Sequence, residues 1–262
     1  MRNGFRKTCL AAAMAVSALL LGGCINLESE LFVKKDGSGQ ITVTKNINPM
    51  MAGMMGGGED GEDSKLEEAE AEAEALAARI PGGEVVSVDD LGGGKMRIVV
   101  GFPDVNGLDP KVLSSTTNIG ESEGDDEDYG STFRFAGGVL TYTNKNPKDT
   151  EKLGEMGDQF GDEEQRENLQ MFLPMLEGAG LSLTIRVDGP IAETNARHAD
   201  GSVVTLVSLP LGAFISAAIN KSDEFKAIGQ ATAGDPDAFA QAIEDLVPGL
   251  KMDPQEEIRI RF

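Results

Sequence analysis

Apolar and polar residues alternate along much of this chain, and glycine-rich punctuation cuts the alternation into elements. Leu31 and Val33 alternate with polar neighbours except at Phe32, and Ile41 and Val43 resume the pattern towards Ile47. Between them Lys35-Asp36-Gly37-Ser38-Gly39 supplies turn chemistry, since Asp-Gly tolerates the positive φ of a tight turn; a β-hairpin is predicted. Ser64 with Glu67 forms a capping box opening a helix through Ile80, whose Leu66, Ala69, Ala73, Leu76, Ala77 and Ile80 share one face. Pro81-Gly82-Gly83 ends it. Val86 and Val88 begin a second hairpin that turns at Gly92-Gly93-Gly94 and returns through Met96, Ile98, Val100 and Phe102. Hairpin, helix, hairpin is an α+β signature, with the helix covering one face of an antiparallel sheet.

Phe133 and Phe135, followed after Gly137-Gly138 by Val139 to Tyr142, make a third hairpin. The stretch 149–177 has helical tendency broken by Gly154, Gly157 and Gly161, with Leu169, Phe172, Leu173 and Leu176 on one face and Pro174 disturbing the last turn. Leu181, Leu183, Ile185 and Val187 alternate strictly and predict a strand, with a partner over 202–209 after the Asp200-Gly201 turn. Leu211 to Asn220 reads as an apolar helix. Ser222 is placed as the cap of a short helix over 223–230. Asp235-Pro236 opens a further helix that brings Phe239, Ile243 and Leu246 together. Ile258, Ile260 and Phe262 close the chain as an amphipathic strand returning to the sheet.

The first residues follow a different pattern. Arg2, Arg6 and Lys7 form a basic head, and 10–21 is apolar apart from Ser17. That is secretory architecture, too short to span a membrane. The ending Leu21-Gly22-Gly23-Cys24 resembles the lipobox of bacterial lipoproteins, in which the cysteine sulfur receives a diacylglycerol before cleavage. The resemblance implies removal of 1–23 and lipidation at Cys24, with a palmitate-type acyl anchor. Ile25 in place of aspartate after the cysteine is compatible with an outer membrane where the cell has one. The remainder, 24–262, is read as a single extracytoplasmic domain.

Charge then narrows the partners. The chain carries 23 basic against 44 acidic residues, a net charge of −21, and the leader removes three basic residues and no acidic one. Nucleic acid needs a basic footprint, so it is excluded as a partner. Attachment to the membrane rests on the acyl chains at Cys24. Cys9 leaves with the leader and Cys24 is consumed by lipid, so no disulfide supports the fold.

Two low-complexity segments are read as loops. Residues 49–62 form a mobile Met/Gly-rich loop whose Met50, Met51, Met54 and Met55 offer a flexible apolar contact or a soft-metal site, or simply pack as a hinge. The acidic loop at 121–130 offers carboxylates to Ca²⁺, but Tyr129 stands where an EF-hand needs an oxygen ligand, and a solvated loop is the plainer reading.

Cys24 leading straight into a hairpin with the turn Asp36-Gly37-Ser38-Gly39, and the run Leu181-Ser182-Leu183-Thr184-Ile185-Arg186-Val187-Asp188-Gly189-Pro190-Ile191 with Asn195 beyond, resemble the LppM-type family of bacterial lipoproteins. This chain departs from the family's Pro-Gly-x-Val turn in having Gly189-Pro190 and Ile191. The resemblance implies a mixed domain around a curved antiparallel sheet, exposed beyond the membrane; with the pattern above, the expected fold is α+β, a curved antiparallel sheet built from successive hairpins with helices packed on one face. It also implies contact with an envelope lipid or other amphiphile, with no catalytic residue assigned. Asn195 is carried over as a turn residue.

Enzyme chemistry finds little support. His198, the only histidine, falls in Arg197-His198-Ala199-Asp200-Gly201 and reads as an exposed loop bystander. No free thiol remains, so cysteine nucleophiles and Cys or multi-His zinc sites are excluded, and no Gly-x-Ser-x-Gly elbow or phosphate loop appears. Paired carboxylates are common, but the absence of Trp and the presence of only two Tyr leave few platforms for sugars. The expectation is a non-catalytic, membrane-anchored lipoprotein without cofactor or metal. It would bind an amphiphile on the concave face of the sheet, lined by residues such as Met96, Ile98, Leu183, Ile185 and Val187, although the same residues fit a plain core, the commoner fate of a strand's apolar face. The alternative is a scaffold or assembly lipoprotein docking a protein partner through the Met50–Met55 loop or the 211–219 helix.

Overall fold

The computed structural model describes residues 25–47, 62–109, 112–113, 132–144, 170–171, 173–176, 178–232 and 234–262. Cys24, the methionine loop and the acidic loop at 121–130 lie outside them, as does most of 149–177.

The first hairpin joins β1 (Ile25–Val33) to β2 (Gly39–Ile47). Its turn is closed by Lys34 N donating to Ser38 O at 2.8 Å, and Gly37 takes φ +86° there. Asp36 Oδ1 accepts from Ser38 Oγ at 2.7 Å and Ser38 N at 3.0 Å, and these two bonds hold its carboxyl below the ordinary aspartate range. Helix α1 (Glu62–Ala78) buries Ala69, Ala73, Leu76 and Ala77 as its spacing predicts. It starts ahead of Ser64, so Ser64 lies within the helix rather than at its N-cap.

β3 (Glu84–Asp90) and β4 (Lys95–Phe102) form the second hairpin. Ile98, Val100 and Phe102 are buried as expected, but Val86 is 49 % exposed. A bulge between Val85 and Ser87 inserts an extra residue there and turns Val86 out of the alternation.

The third hairpin, β5 (Thr132–Ala136) and β6 (Val139–Thr143), is followed by β7 (Gly180–Val187), two short strands β8 (Glu193–Thr194) and β9 (Ala199–Asp200), and β10 (Val203–Pro210). Three helices come next, α2 (Leu211–Asn220), α3 (Ser222–Ala231) and α4 (Pro236–Leu246), and then β11 (Lys251–Met252) and β12 (Glu257–Arg261). Asp235 caps α4 by accepting from Ala238 N at 3.0 Å, as its pairing with Pro236 predicts. Ser222 lies inside α3, whose cap position is Lys221, and so is not the cap.

The α+β class stands, with strands in two sheets rather than one. The large sheet runs β11-β10-β7-β1-β2-β4-β3, with β9 also on β10, and the small sheet runs β5-β6-β12-β8. The C-terminal strand therefore joins the third hairpin, not the first. Every pairing is antiparallel except β1 with β7, which run parallel.

Register explains the main core. Val204, Ile185, Leu31, Ile41 and Val100 stand opposite one another in a row across five strands, and each is fully buried. α1 and the small sheet's Phe133, Leu140, Ile258 and Ile260 belong to the same apolar cluster. On the opposite face of β1 and β7, Arg186 bonds Glu30 at 2.7 Å and lies 4.4 Å over the Phe32 ring. A second cluster, centred on Phe214, Phe225, Phe239 and Ile243, binds α2, α3 and α4 together.

Candidate functional site

Where β1, β7 and β10 meet the start of α2, the strands carry residues too small to fill the space above them. Gly180 and Ser182 of β7 lie beside Asn26 and Glu28 of β1, and Ser182 faces Ser208 of β10. The chain turns from β10 into α2 at Pro210, whose missing N–H costs nothing at a helix start, and Leu211 N donates to Ala179 O at 2.9 Å. α2 then presents Gly212, Ala213 and Ser216 at one-turn spacing. The result is an open groove of about 680 Å³. Leu173, Leu181, Leu209 and Pro210 give it apolar surface, and Asn26, Glu28 and the three serines give it polar groups. Asn26 Nδ2 donates to Glu28 Oε1 at 2.9 Å, which fixes the rim formed by β1.

Of the two readings for the strand-face residues, ligand surface or plain core, the structure gives the core. Ile98, Ile185 and Val187 are buried in the main core, and Leu183 and Met96 pack against it. The groove was missed in the sequence because its signature is small size at Gly180, Ser182, Ser208 and Gly212, which no hydropathy pattern registers. α2 is also largely spoken for: Phe214, Ala217 and Ala218 pack into the helical cluster, with Phe214 edge-on to Phe225 at 5.6 Å.

His198 corrects the bystander reading. Its side chain is only 19 % exposed, and Nε2 donates to Glu244 Oε1 at 2.8 Å. Glu244, on α4, also accepts from Met252 N at 2.8 Å and from Arg197 Nη2 at 3.2 Å. Asp253 accepts from Arg197 N at 2.8 Å and Gln255 N at 3.2 Å, and burial pushes its carboxyl above the ordinary aspartate range despite those bonds. These contacts use the polar groups to fasten the 195–200 segment and β11 to α4. Spacing in the sequence carries no signal for them, because Glu244 lies on a distant helix.

A smaller hollow of about 350 Å³ lies on the small sheet beside Asn195. Its arginines are already matched, Arg259 to Glu257 at 2.5 Å and Arg261 to Glu193 at 3.5 Å. Among the described residues, no helix is long and apolar enough to cross a membrane.

No protein-family model matches the chain, and no curated protein matches it. Among solved structures it is similar to the folded domain of the Mycobacterium tuberculosis LppM protein, determined by NMR. The identity is 12 % over 70 % of this chain and 81 % of that one, with a TM-score of 0.29. At that level the likeness carries no argument about fold or activity.

Proposed function

We propose that this protein is a non-catalytic lipoprotein, held on the outer side of a bacterial membrane by acyl chains on Cys24, that binds an amphiphile of the cell envelope in the groove between β7, β10 and α2. The observation that carries the reading is the composition and place of that groove. Its volume of about 680 Å³ falls within the range of small-ligand sites, and it sets apolar side chains beside a few polar ones, as an acyl-bearing ligand with a polar head requires. The basic head, apolar run and lipobox-like Leu21-Gly22-Gly23-Cys24 support the anchor. Docking of a protein partner through α2 is the weaker reading, because α2 spends its aromatic and alanine face on α3 and α4.

The full chain, extracted in mild detergent and examined by native mass spectrometry, is expected to carry a stoichiometric small amphiphile. Ser182→Phe, which fills the groove floor with a residue well suited to a strand, is expected to lose it while keeping the circular dichroism spectrum. Wild type free of amphiphile, or Ser182→Phe that retains it, would overturn the groove assignment. Retained fatty-acid labelling and membrane association in Cys24→Ala would overturn the anchor.

A further inference from the structure

The large sheet starts without a spacer from the residue assigned to the lipid. β1 begins at Ile25, so Cys24 is its immediate covalent neighbour. Consecutive Cα atoms are about 3.8 Å apart, which places the lipidated residue within about 8 Å of Asn26. A folded strand attached this closely has no freedom to stand away from the bilayer.

Register shows what shares that end of the sheet. Asn26 pairs with Asn46 and Asn46 with Lys95, so Lys95 stands two strand spacings, about 10 Å, from β1. Leu91 closes the adjoining turn, its N–H donating to Lys95 O at 2.8 Å, and is 41 % exposed. Gly92 and Gly93 beside it have no atom within 4 Å of where a Cβ would stand, so the turn projects into open space.

Charge on the strands at this end is near balance, whereas the chain as a whole carries −21. Lys45, Lys95 and Arg97 stand there among Glu28, Glu72, Asp89 and Asp90: Asp89 is the register partner of Arg97, and Glu72 pairs with Lys45. Among the described residues Lys95 and Arg97 form no ion pair. An exposed apolar tip on a hairpin whose charges balance can enter the headgroup region of a bilayer without net electrostatic cost.

We infer that the sheet end bearing Asn26, Lys95 and Leu91 rests on the membrane surface, with Leu91 dipping into the headgroup layer and the groove beside Asn26 opening next to the lipid. This orientation rests on acylation of Cys24. It deepens the binding proposal by naming the route of entry: an amphiphile reaches the groove from the bilayer without crossing bulk water.

The chain has no tryptophan, so a single introduced one is a clean reporter. Leu91→Trp and Lys35→Trp would each be made in the full chain, acylated in the producing cell, and reconstituted into phosphatidylglycerol–phosphatidylethanolamine vesicles containing brominated acyl chains. Lys35 lies in the turn at the far end of β1, roughly 30 Å away at a strand rise of about 3.4 Å per residue. Leu91→Trp is expected to show blue-shifted emission quenched about twofold by the brominated lipid, with Lys35→Trp unaffected. Acylated, vesicle-bound Leu91→Trp quenched no more than Lys35→Trp would overturn the orientation and leave the anchor standing. Protein that carries no acyl group on Cys24 would bring down the anchor and the orientation with it.

Discussion

Asn195 and Arg259 are joined by a 2.7 Å hydrogen bond from the Arg259 backbone N–H to the Asn195 side-chain oxygen, and the same amide donates through Nδ2 to Glu257 O at 2.7 Å. Groups at residues 257 and 259 point to the same side of a strand, so one side-chain amide does there what a neighbouring strand's backbone would do. Asn195 follows β8 directly and thereby prolongs the β8–β12 pairing by one step beyond its last backbone register at Ile260 and Thr194. Replacing it with Ala is expected to destabilise the protein by about 1–2 kcal/mol in urea titration. Amide exchange at Arg259 is expected to accelerate, whereas Asn195→Asp keeps that bond and turns a second oxygen towards Glu257 O.

Glu244 is the single acceptor that collects His198, Arg197 and the Met252 amide, at 12 % side-chain exposure. Its removal leaves two donors and one cation in a partly dry setting. Glu244→Ala is expected to cost about 2–4 kcal/mol, with Glu244→Gln intermediate because one acceptor remains. Faster exchange at the Met252 amide in both variants would place the loss where the bond was.

Asp253 makes a signed pH prediction. Burial raises its carboxyl above the ordinary 3.8, so the folded chain holds this proton to higher pH than the unfolded one. Its contribution to stability is complete below 3.8 and is lost as pH rises through the folded value. Asp253→Asn cannot lose it. The variant's stability relative to wild type is therefore expected to climb as pH rises from 3.8 through the raised value of the folded carboxyl in parallel denaturant titrations. A flat difference across that range would refute the assignment.

Gly39 and Gly93 separate steric from conformational cost. A Cβ at Gly39 would stand 1.9 Å from the Phe32 carbonyl oxygen and 2.6 Å from Phe102 Cζ, in the tightest part of the sheet. Gly39→Ala is expected to destabilise by about 3 kcal/mol or more. Gly93 has open space around it but φ +67°, so Gly93→Ala is expected to cost about 1 kcal/mol. Thermal melts of the pair would show the ranking directly.

Local chemistry made the hairpins, α1 and the Asp235-capped α4 readable, because alternation, turn glycines and capping side chains act over a few neighbouring residues. The lipobox-like run ending at Cys24 is likewise local. Where local cues competed, the reading slipped: Ser64 and Ser222 are good caps, yet both lie inside helices, and the bulge at Val85–Ser87 reverses the face of Val86.

Partnerships between distant segments had to wait for the folded chain. Backbone groups pair with any strand that arrives in register, so nothing in Leu27 to Val33 announces that β1 will lie at the heart of the sheet with β7 parallel beside it. The groove depends on that meeting, since its small residues matter only once β1, β7, β10 and α2 stand around the same space. His198 and Glu244 depend on it too. Alternation along the chain named which side chains turn inward; close packing of remote elements chose their neighbours, because burial and hydrogen-bond satisfaction are properties of the assembled molecule rather than of any short segment.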